Sequence, residues 1–259
     1  LRMCKYSCFK NSKIKSFIVA CIFWYHRKRR SFYDQIDHYI CLNENQIKLL
    51  KNIGFDENKI TKKYNFVPDA EANLKAMKLE NLPDRYVVFY GRIGEEKGIR
   101  ILMDIWNQIM DIPLVVMGGG PLEEEFKAWS DQHSNVYFLG YTQHDRCLSI
   151  VKGGEFVVFP SIWYEGCSMV EIEAESLGKG LIATNLGFSS EAIENARNGY
   201  KVKLGDSRAF VDQIRRLWNN EAECKKIGEN ARLDYEQKYT PEDNYQQLIA
   251  IYKSMGADV

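Results

Sequence analysis

From Tyr86 onward, short apolar runs alternate with segments of helical period. Tyr86–Tyr90 (YVVFY) reads as a buried strand. Ile99–Met110 reads as an amphipathic helix with Ile99, Leu102, Met103, Trp106 and Ile109 on one face. The same logic predicts strands at Leu114–Gly118, Val136–Leu139, Phe156–Phe159, Leu181–Thr184 and Tyr200–Leu204. Between them fall helices at Leu122–Ser130, near Asp145–Val151, around Met169–Leu177 and from Ser190. Strands separated by helices of this length imply right-handed crossovers and a parallel sheet. The expected fold class is therefore α/β, a doubly wound Rossmann-like domain over roughly residues 84–205. Three helices follow, Ser207–Asn219, Glu221–Tyr239 and Pro241–Met255. The last opens on Thr240-Pro241, an N-cap and a first-turn proline, and its apolar face reads Tyr245, Leu248, Ile249, Tyr252, Met255.

The first 80 residues follow a different pattern. They offer a strand at His38–Leu42, a helix at Gln46–Ile53 and an extended run at Ile60–Val67, too few for a complete sheet. The expected organisation is a partial second α/β domain over 1–69, a linker over 70–83 ending in Leu82-Pro83-Asp84, and a ligand-binding domain over 84–240. A C-terminal helix over 241–259 is expected to pack back on the N-terminal part.

Composition changes this picture little. An apolar content of 45%, with 13% aromatic residues, belongs to a packed globular protein. Charge is informative because it is uneven. Residues 1–33 hold nine Lys/Arg and no acid, leaving 26 basic against 35 acidic residues elsewhere, a balance of −9. A whole-protein nucleic-acid surface is thereby disfavoured. The run Phe17–Tyr25 (FIVACIFWY) is too short to span a bilayer, and the basic stretch His26–Arg30 follows it with no small-residue cleavage site. It reads either as a buried helix with a basic end or as a segment for an anionic membrane face. The seven cysteines (4, 8, 21, 41, 147, 167, 224) are scattered, and no second Cys or His pair completes a site begun by Cys4 and Cys8. Reduced thiols and no metal are expected, in a cytoplasmic protein. The chain opens on Leu1 rather than Met and is expected to be a piece of a longer polypeptide.

In an open parallel sheet, ligands bind beyond the carboxyl ends of the strands, and the unusual loops all fall there. Gly91-Arg92-Ile93-Gly94-Glu95-Glu96-Lys97-Gly98 lacks both a dinucleotide fingerprint and a P-loop ending. It offers instead two cations for a diphosphate, Arg92 read as fixed and Lys97 as mobile, with solvated surface charges as the alternative. Gly118-Gly119-Gly120-Pro121 allows close approach of a ligand or forms a bare tight turn. Leu139-Gly140-Tyr141-Thr142 is placed to meet a flat base, with Tyr141 otherwise a core or rim aromatic. Most specific is the strand-to-helix junction carrying Glu165 and Glu173, eight positions apart with Gly166, Cys167, Ser168 and Met169 between them. A helix N-terminus there suits phosphate, and a carboxylate on either side suits hydroxyls. Carboxylates of a glycoside hydrolase face each other at about 5–9 Å. This spacing puts the pair roughly 10 Å or more apart, which favours two separate grips on one long ligand. Glu171 and Glu175, on other faces of that helix, are expected to be solvated.

Taken together, Gly91-Arg92…Glu96-Lys97-Gly98, Gly118–Pro121, Phe138–Tyr141, Pro160-Ser161…Glu165-Gly166…Glu173-Ala174 and Asn198-Gly199 resemble the C-terminal, donor-binding half of retaining glycosyltransferases of family 4, with the GT-B fold. The resemblance covers about residues 34–255, and Asn11–Asp34 is similar to a basic segment of polysaccharide-assembling members. It implies transfer of a sugar from a nucleoside-diphosphate sugar to a hydroxyl, with retention and without a metal or other cofactor. Arg92 and Lys97 would hold the diphosphate and Glu173 the ribose hydroxyls. Glu165 would hold the donor sugar, supported by the backbone of Gly166, Cys167, Ser168 and Met169. Gly91, Gly118, Gly119, Gly120, Pro121, Leu139 and Tyr141 would shape the nucleotide pocket.

Three positions depart from that family's pattern. Gly166-Cys167-Ser168 stands where Gly-Phe-Gly is usual, marking Cys167 and Ser168 as positions that set sugar choice. Gly180 replaces a proline, and Gly187-Phe188 the later glycine pair. The histidine and glycine-rich loop of the acceptor domain have no counterpart, so the chain alone is expected to bind nucleotide but turn over little or nothing. The expected setting is bacterial-type cell-surface polysaccharide synthesis. The partners would be UDP-, GDP- or ADP-sugar, a glycan or lipid-linked acceptor, and a cytoplasmic membrane face met through residues 1–33. A non-catalytic nucleotide-sugar-binding module and a GT-B-type epimerase are the alternatives.

Overall fold

The structure, a computed structural model, describes residues 2–70, 74 and 82–258. The expected linker over 70–83 therefore lies mostly outside the described residues. Within them the chain forms two parallel sheets. The small one pairs β1 (Tyr39–Cys41) with β2 (Ile60–Lys62). The large one contains β3 (Val87–Tyr90), β4 (Leu114–Met117), β5 (Val136–Phe138), β6 (Val157–Phe159), β7 (Leu181–Thr184) and β8 (Gly199–Val202). Its strand order is β5-β4-β3-β6-β7-β8, all parallel. Chain order runs outward from β3 in one direction and resumes at β6 in the other, so the switch point lies between these two strands.

Both faces of the large sheet are covered, as its apolar, fully buried central strands β3, β4, β6 and β7 require. Val87 and Phe89 join Leu114, Val116 and Val158 in one core, together with Trp106 and Phe210. The alternate residues Val88, Tyr90, Val115, Met117 and Val157 join a second core with Leu148, Ile150 and Ala174. Among the described residues the helices, apart from single turns, are α1 (Lys13–Lys28), α2 (Glu44–Asn52), α3 (Ile99–Trp106), α4 (Glu123–Ser130), α5 (His144–Gly153) and α6 (Met169–Ser176). α7 (Ser207–Asn219), α8 (Glu221–Lys238) and α9 (Pro241–Ser254) complete the series. Strands and helices are shorter than the apolar patterns suggest. Gly118 and Leu139 already lie in the loops beyond the strands, and Ile109 lies past the end of α3 yet stays fully buried. Burial extends beyond the hydrogen-bonded element, so hydropathy overruns its ends.

Two readings of helix faces need correction. The Phe17–Tyr25 run is helical but not buried: within α1 only Ser16 is buried, and Phe17, Ile18, Ile22, Phe23, Trp24 and Tyr25 are exposed. No helix among the described residues is long and apolar enough to cross a membrane. In α9 the expected face is largely exposed at Tyr245, Tyr252 and Met255, while Asn244 and Ile251 are buried. Polar bonds decide that orientation. Lys63 Nζ donates to Asn244 Oδ1 at 2.8 Å, and Asn244 Nδ2 donates to the Tyr64 carbonyl at 2.7 Å.

Candidate functional site

The loops at the carboxyl ends of β3, β4, β5 and β6 are stitched to one another by backbone bonds. Gly91 N–H donates to Met117 O, Gly118 N–H to Gly140 O, Ile93 N–H to Gly119 O, and Ile162 N–H to Glu96 O. Gly118 is demanded by this packing. Its φ is +140°, and a Cβ there would lie 1.7 Å from the Gly91 carbonyl oxygen. The glycine run thus brings two backbones together. Tyr141, 84% exposed, stands at the rim of this loop cluster.

Beside the switch point, Lys97 Nζ lies 2.7 Å from Glu165 Oε1 and 5.3 Å from the Phe159 ring centroid. Both side chains are mostly buried, at 21% and 15% exposure. Ser161 Oγ lies 3.1 Å from the same carboxylate oxygen and 3.0 Å from the Glu96 carbonyl. Arg92, by contrast, is 65% exposed and among the described residues pairs with Glu96, at 3.2 Å. The roles expected of the two cations are therefore exchanged: Lys97 is the fixed one and Arg92 the mobile one. A charge-assisted bond at a half-buried site holds a lysine far better than an exposed i,i+4 pair holds an arginine.

Glu173 projects from α6, and one of its carboxylate oxygens lies 2.8 Å from Nε2 of the exposed His144, at the start of α5. Together with Leu148, Met169, Val67 and Pro68 they line a cavity of about 410 Å³. The N-terminus of α6 is capped by Ser168, whose hydroxyl accepts the Glu171 N–H at 3.4 Å. Cys167 is buried, its sulfur accepting the Asn65 N–H at 3.4 Å, and burial pushes its thiol up to about 12. The side chains expected to set sugar choice are thus committed, Ser168 to a cap and Cys167 to a contact with the segment after β2.

Glu171 and Glu175 are not solvated. They are 1% and 2% exposed on the inner face of α6, and one oxygen of each has no hydrogen-bond partner. Ser189 Oγ donates to the other Glu171 oxygen at 2.9 Å. Burial, aided by the nearby Glu165 charge, raises the Glu171 carboxyl to about 8 against the pull of Ser189. Burial and the neighbouring Asp234 and Glu171 raise Glu175 well above the usual range. Their letters are polar, so sequence pattern placed them outside; packing of α6 between the sheet and α8 put them inside.

Residues of the N-terminal unit close the far side of the Glu165 loop. Asn43 Nδ2 donates to the carbonyls of Glu165 and Gly166, at 3.1 and 2.6 Å. Asn45 Nδ2 donates to Gly187 O at 3.2 Å, and Glu44 N–H to Glu191 at 2.8 Å. Sequence reading missed Asn43, Asn45 and His144, and it named Ser161 in a motif without giving it a role. Asn43 before Glu44 carries a helix-start signal, but nothing local points to a contact 122 positions away. Among the described residues, no group of three or more His, Cys, Asp or Glu is arranged to hold a metal.

The family model of glycosyl transferases group 1 matches residues 71–234. The O-antigen chain mannosyltransferase C of Escherichia coli is 29% identical over 180 residues, 68% of this chain and 48% of that protein. The capsular polysaccharide biosynthesis glycosyltransferase CapM of Staphylococcus aureus is 28% identical over 208 residues, 77% of this chain and 50% of that protein. The chain thus spans about half the length of the curated relatives it matches. The crystal structure of HepE from Anabaena in complex with UDP superposes with a TM-score of 0.73 at 19% identity, over 84% of this chain and 64% of that one. The parallel sheet, its flanking helices and these neighbours define the α/β GT-B glycosyltransferase fold. With the family model covering well over half of its length, this chain belongs to the glycosyl transferases group 1.

Proposed function

We propose that this chain forms the donor-binding side of a retaining family 4 glycosyltransferase that moves a sugar from a nucleoside diphosphate to a hydroxyl. The observation that carries this reading is the Lys97–Glu165 pair at the switch point, with Glu173 on the helix that follows. Lys97, and Arg92 swinging in from the surface, supply countercharge to the diphosphate as negative charge grows on the leaving group. No metal is then required. Glu173 accepts from the ribose hydroxyls in place of His144. Glu165 accepts from donor-sugar hydroxyls, and the backbone of Gly166, Cys167, Ser168 and Met169 supports sugar and phosphate at the α6 N-terminus. Gly91, the Gly118–Pro121 turn, Leu139 and the exposed Tyr141 border the nucleotide. With the diphosphate held on one face of the sugar, an acceptor hydroxyl attacking from that same face as the diphosphate leaves, and passing its proton to the departing phosphate oxygen, gives retention.

The UDP in the HepE complex supports a nucleotide-sugar donor, and the relatives from O-antigen and capsule synthesis support a place in bacterial cell-surface polysaccharide assembly. The acceptor is a glycan or lipid-linked hydroxyl. The exposed apolar face of α1, in a segment with nine Lys/Arg and no acid, suits an anionic cytoplasmic membrane face. The test is a thermal-shift panel of UDP, GDP, ADP and their sugars. One set is expected to raise Tm as ligand concentration passes its Kd, and Glu173→Ala is expected to abolish the rise. A flat response to the whole panel would remove the nucleotide-sugar reading for this chain.

A further inference from the structure

We infer that Asn43, in the N-terminal unit, is a positioning residue for Glu165: its amide holds the two successive carbonyls that follow the side chain making the donor-sugar contact. The inference rests on the role proposed above for Glu165. Asn43 is 2% exposed, and every polar function of its side chain is in use. Oδ1 accepts the Gln46 N–H at 2.8 Å as the N-cap of α2, while Nδ2 spans two successive carbonyls, Glu165 O and Gly166 O. The cap alone explains an Asn, Asp or Ser at this place. It does not explain a donor group buried against a loop from the other sheet.

The contact is tight on both of its sides. A Cβ on Gly166 would fall 3.0 Å from Gln46 Nε2 and 3.3 Å from Leu42 Cδ1, so α2 sits directly on the loop. From behind, Phe188 N–H donates to Glu165 O at 3.0 Å, and Gly187, at φ +55°, leaves no room for a Cβ, which would lie 2.6 Å from Glu165 N. The Glu165 backbone is therefore clamped between α2 and the loop after β7. Its carboxylate is free only to exchange Lys97 and Ser161 for a ligand hydroxyl. Removing the clamp shifts the residue that distinguishes a sugar nucleotide from the bare nucleotide, and leaves Glu173 on α6 in place.

Asn43→Ser separates the two jobs, because serine caps a helix as asparagine does but is too short to reach both carbonyls. In the 259-residue chain, affinities are measured for UDP and UDP-glucose, GDP and GDP-mannose, and ADP and ADP-glucose, with Glu165→Gln alongside. The expected result is a roughly tenfold fall in the preference for sugar nucleotide over nucleotide, matched by Glu165→Gln; the preference is a ratio, so a change in diphosphate binding common to both ligands, as when Glu165→Gln releases Lys97, cancels from it. Amide hydrogen exchange without ligand is expected to quicken at Glu165 and Phe188. Gly166→Ala, pushing the loop off α2 from the opposite side, is expected to do the same. Unchanged exchange and preference in Asn43→Ser would leave Asn43 a helix cap and overturn the inference. If exchange quickens but neither Asn43→Ser nor Glu165→Gln alters the preference, the role of Glu165 fails and the inference with it. If no nucleotide binds the parent chain, the functional reading itself is wrong.

Discussion

Glu171 and Glu175 are the residues where local pattern and three-dimensional environment disagree most. A carboxyl raised from an ordinary value near 4.5 to about 8 holds its proton more tightly in the folded chain than in the unfolded one. Between those two values the unfolded chain releases the proton and the folded chain keeps it, so rising pH favours unfolding, by up to about 1.4 kcal/mol per pH unit. Below that window the penalty is absent, and above it the penalty is complete. The chain is therefore expected to lose Tm steadily from pH 5 to pH 8. Glu171→Gln, which keeps the Ser189 bond, is expected to flatten that slope and to be the more stable protein at pH 8. Equal slopes in parent and variant would show that Glu171 ionises freely. At this scale the sequence revealed the chemical letters of the proposed site, Arg92, Lys97, Glu165 and Glu173. It did not reveal which were fixed, because fixation comes from Ser161, His144 and Asn43 across the fold.

Elements form where local signals agree. Asn43, Ser168, Asp206, Asn220 and Thr240 each cap the helix that follows, and sequence pattern placed those helices to within a few residues. Loops between them obey constraints that a glycine reveals only in three dimensions. Gly118→Ala would place a methyl against the Gly91 carbonyl at a positive φ, and is expected to cost about 3 kcal/mol or more in urea unfolding. Gly205→Ala provides the control. Its φ is +80° with nothing within 4 Å of a Cβ, so only the backbone cost of about 1–2 kcal/mol is expected. Similar losses in the two variants would mean that the β3 and β4 end loops do not depend on close approach. In sequence the two glycines look alike.

At the scale of the molecule, three parts of the chain meet in one aromatic cluster. Tyr64 from the N-terminal unit, Phe188 after β7 and Tyr239 after α8 have ring centroids 5.3–6.0 Å apart. Arg232 on α8 adds a polar tie, donating to both Asp69 oxygens at 2.8 and 2.7 Å and to the Ser176 carbonyl at 2.5 Å. Arg232→Ala is expected to destabilise by about 2 kcal/mol, and Asp69→Asn by less, because the bond to Ser176 survives. A double-mutant cycle should give a coupling near 1 kcal/mol; zero coupling would make the pair incidental.

The sequence by itself determined the alternation of strands and helices, and hence the parallel doubly wound sheet. It also singled out the strand-end loops as the place of the proposed site, because hydropathy period and glycine placement are local properties. Only the tertiary structure decided that Lys97 and not Arg92 is locked to Glu165, and that Glu171 and Glu175 lie inside. It also decided that Asn43 braces the Glu165 loop and that the apolar face of α1 lies open. Burial and hydrogen bonding between residues 68 to 123 positions apart depend on how whole elements pack, and no local window of sequence contains that information.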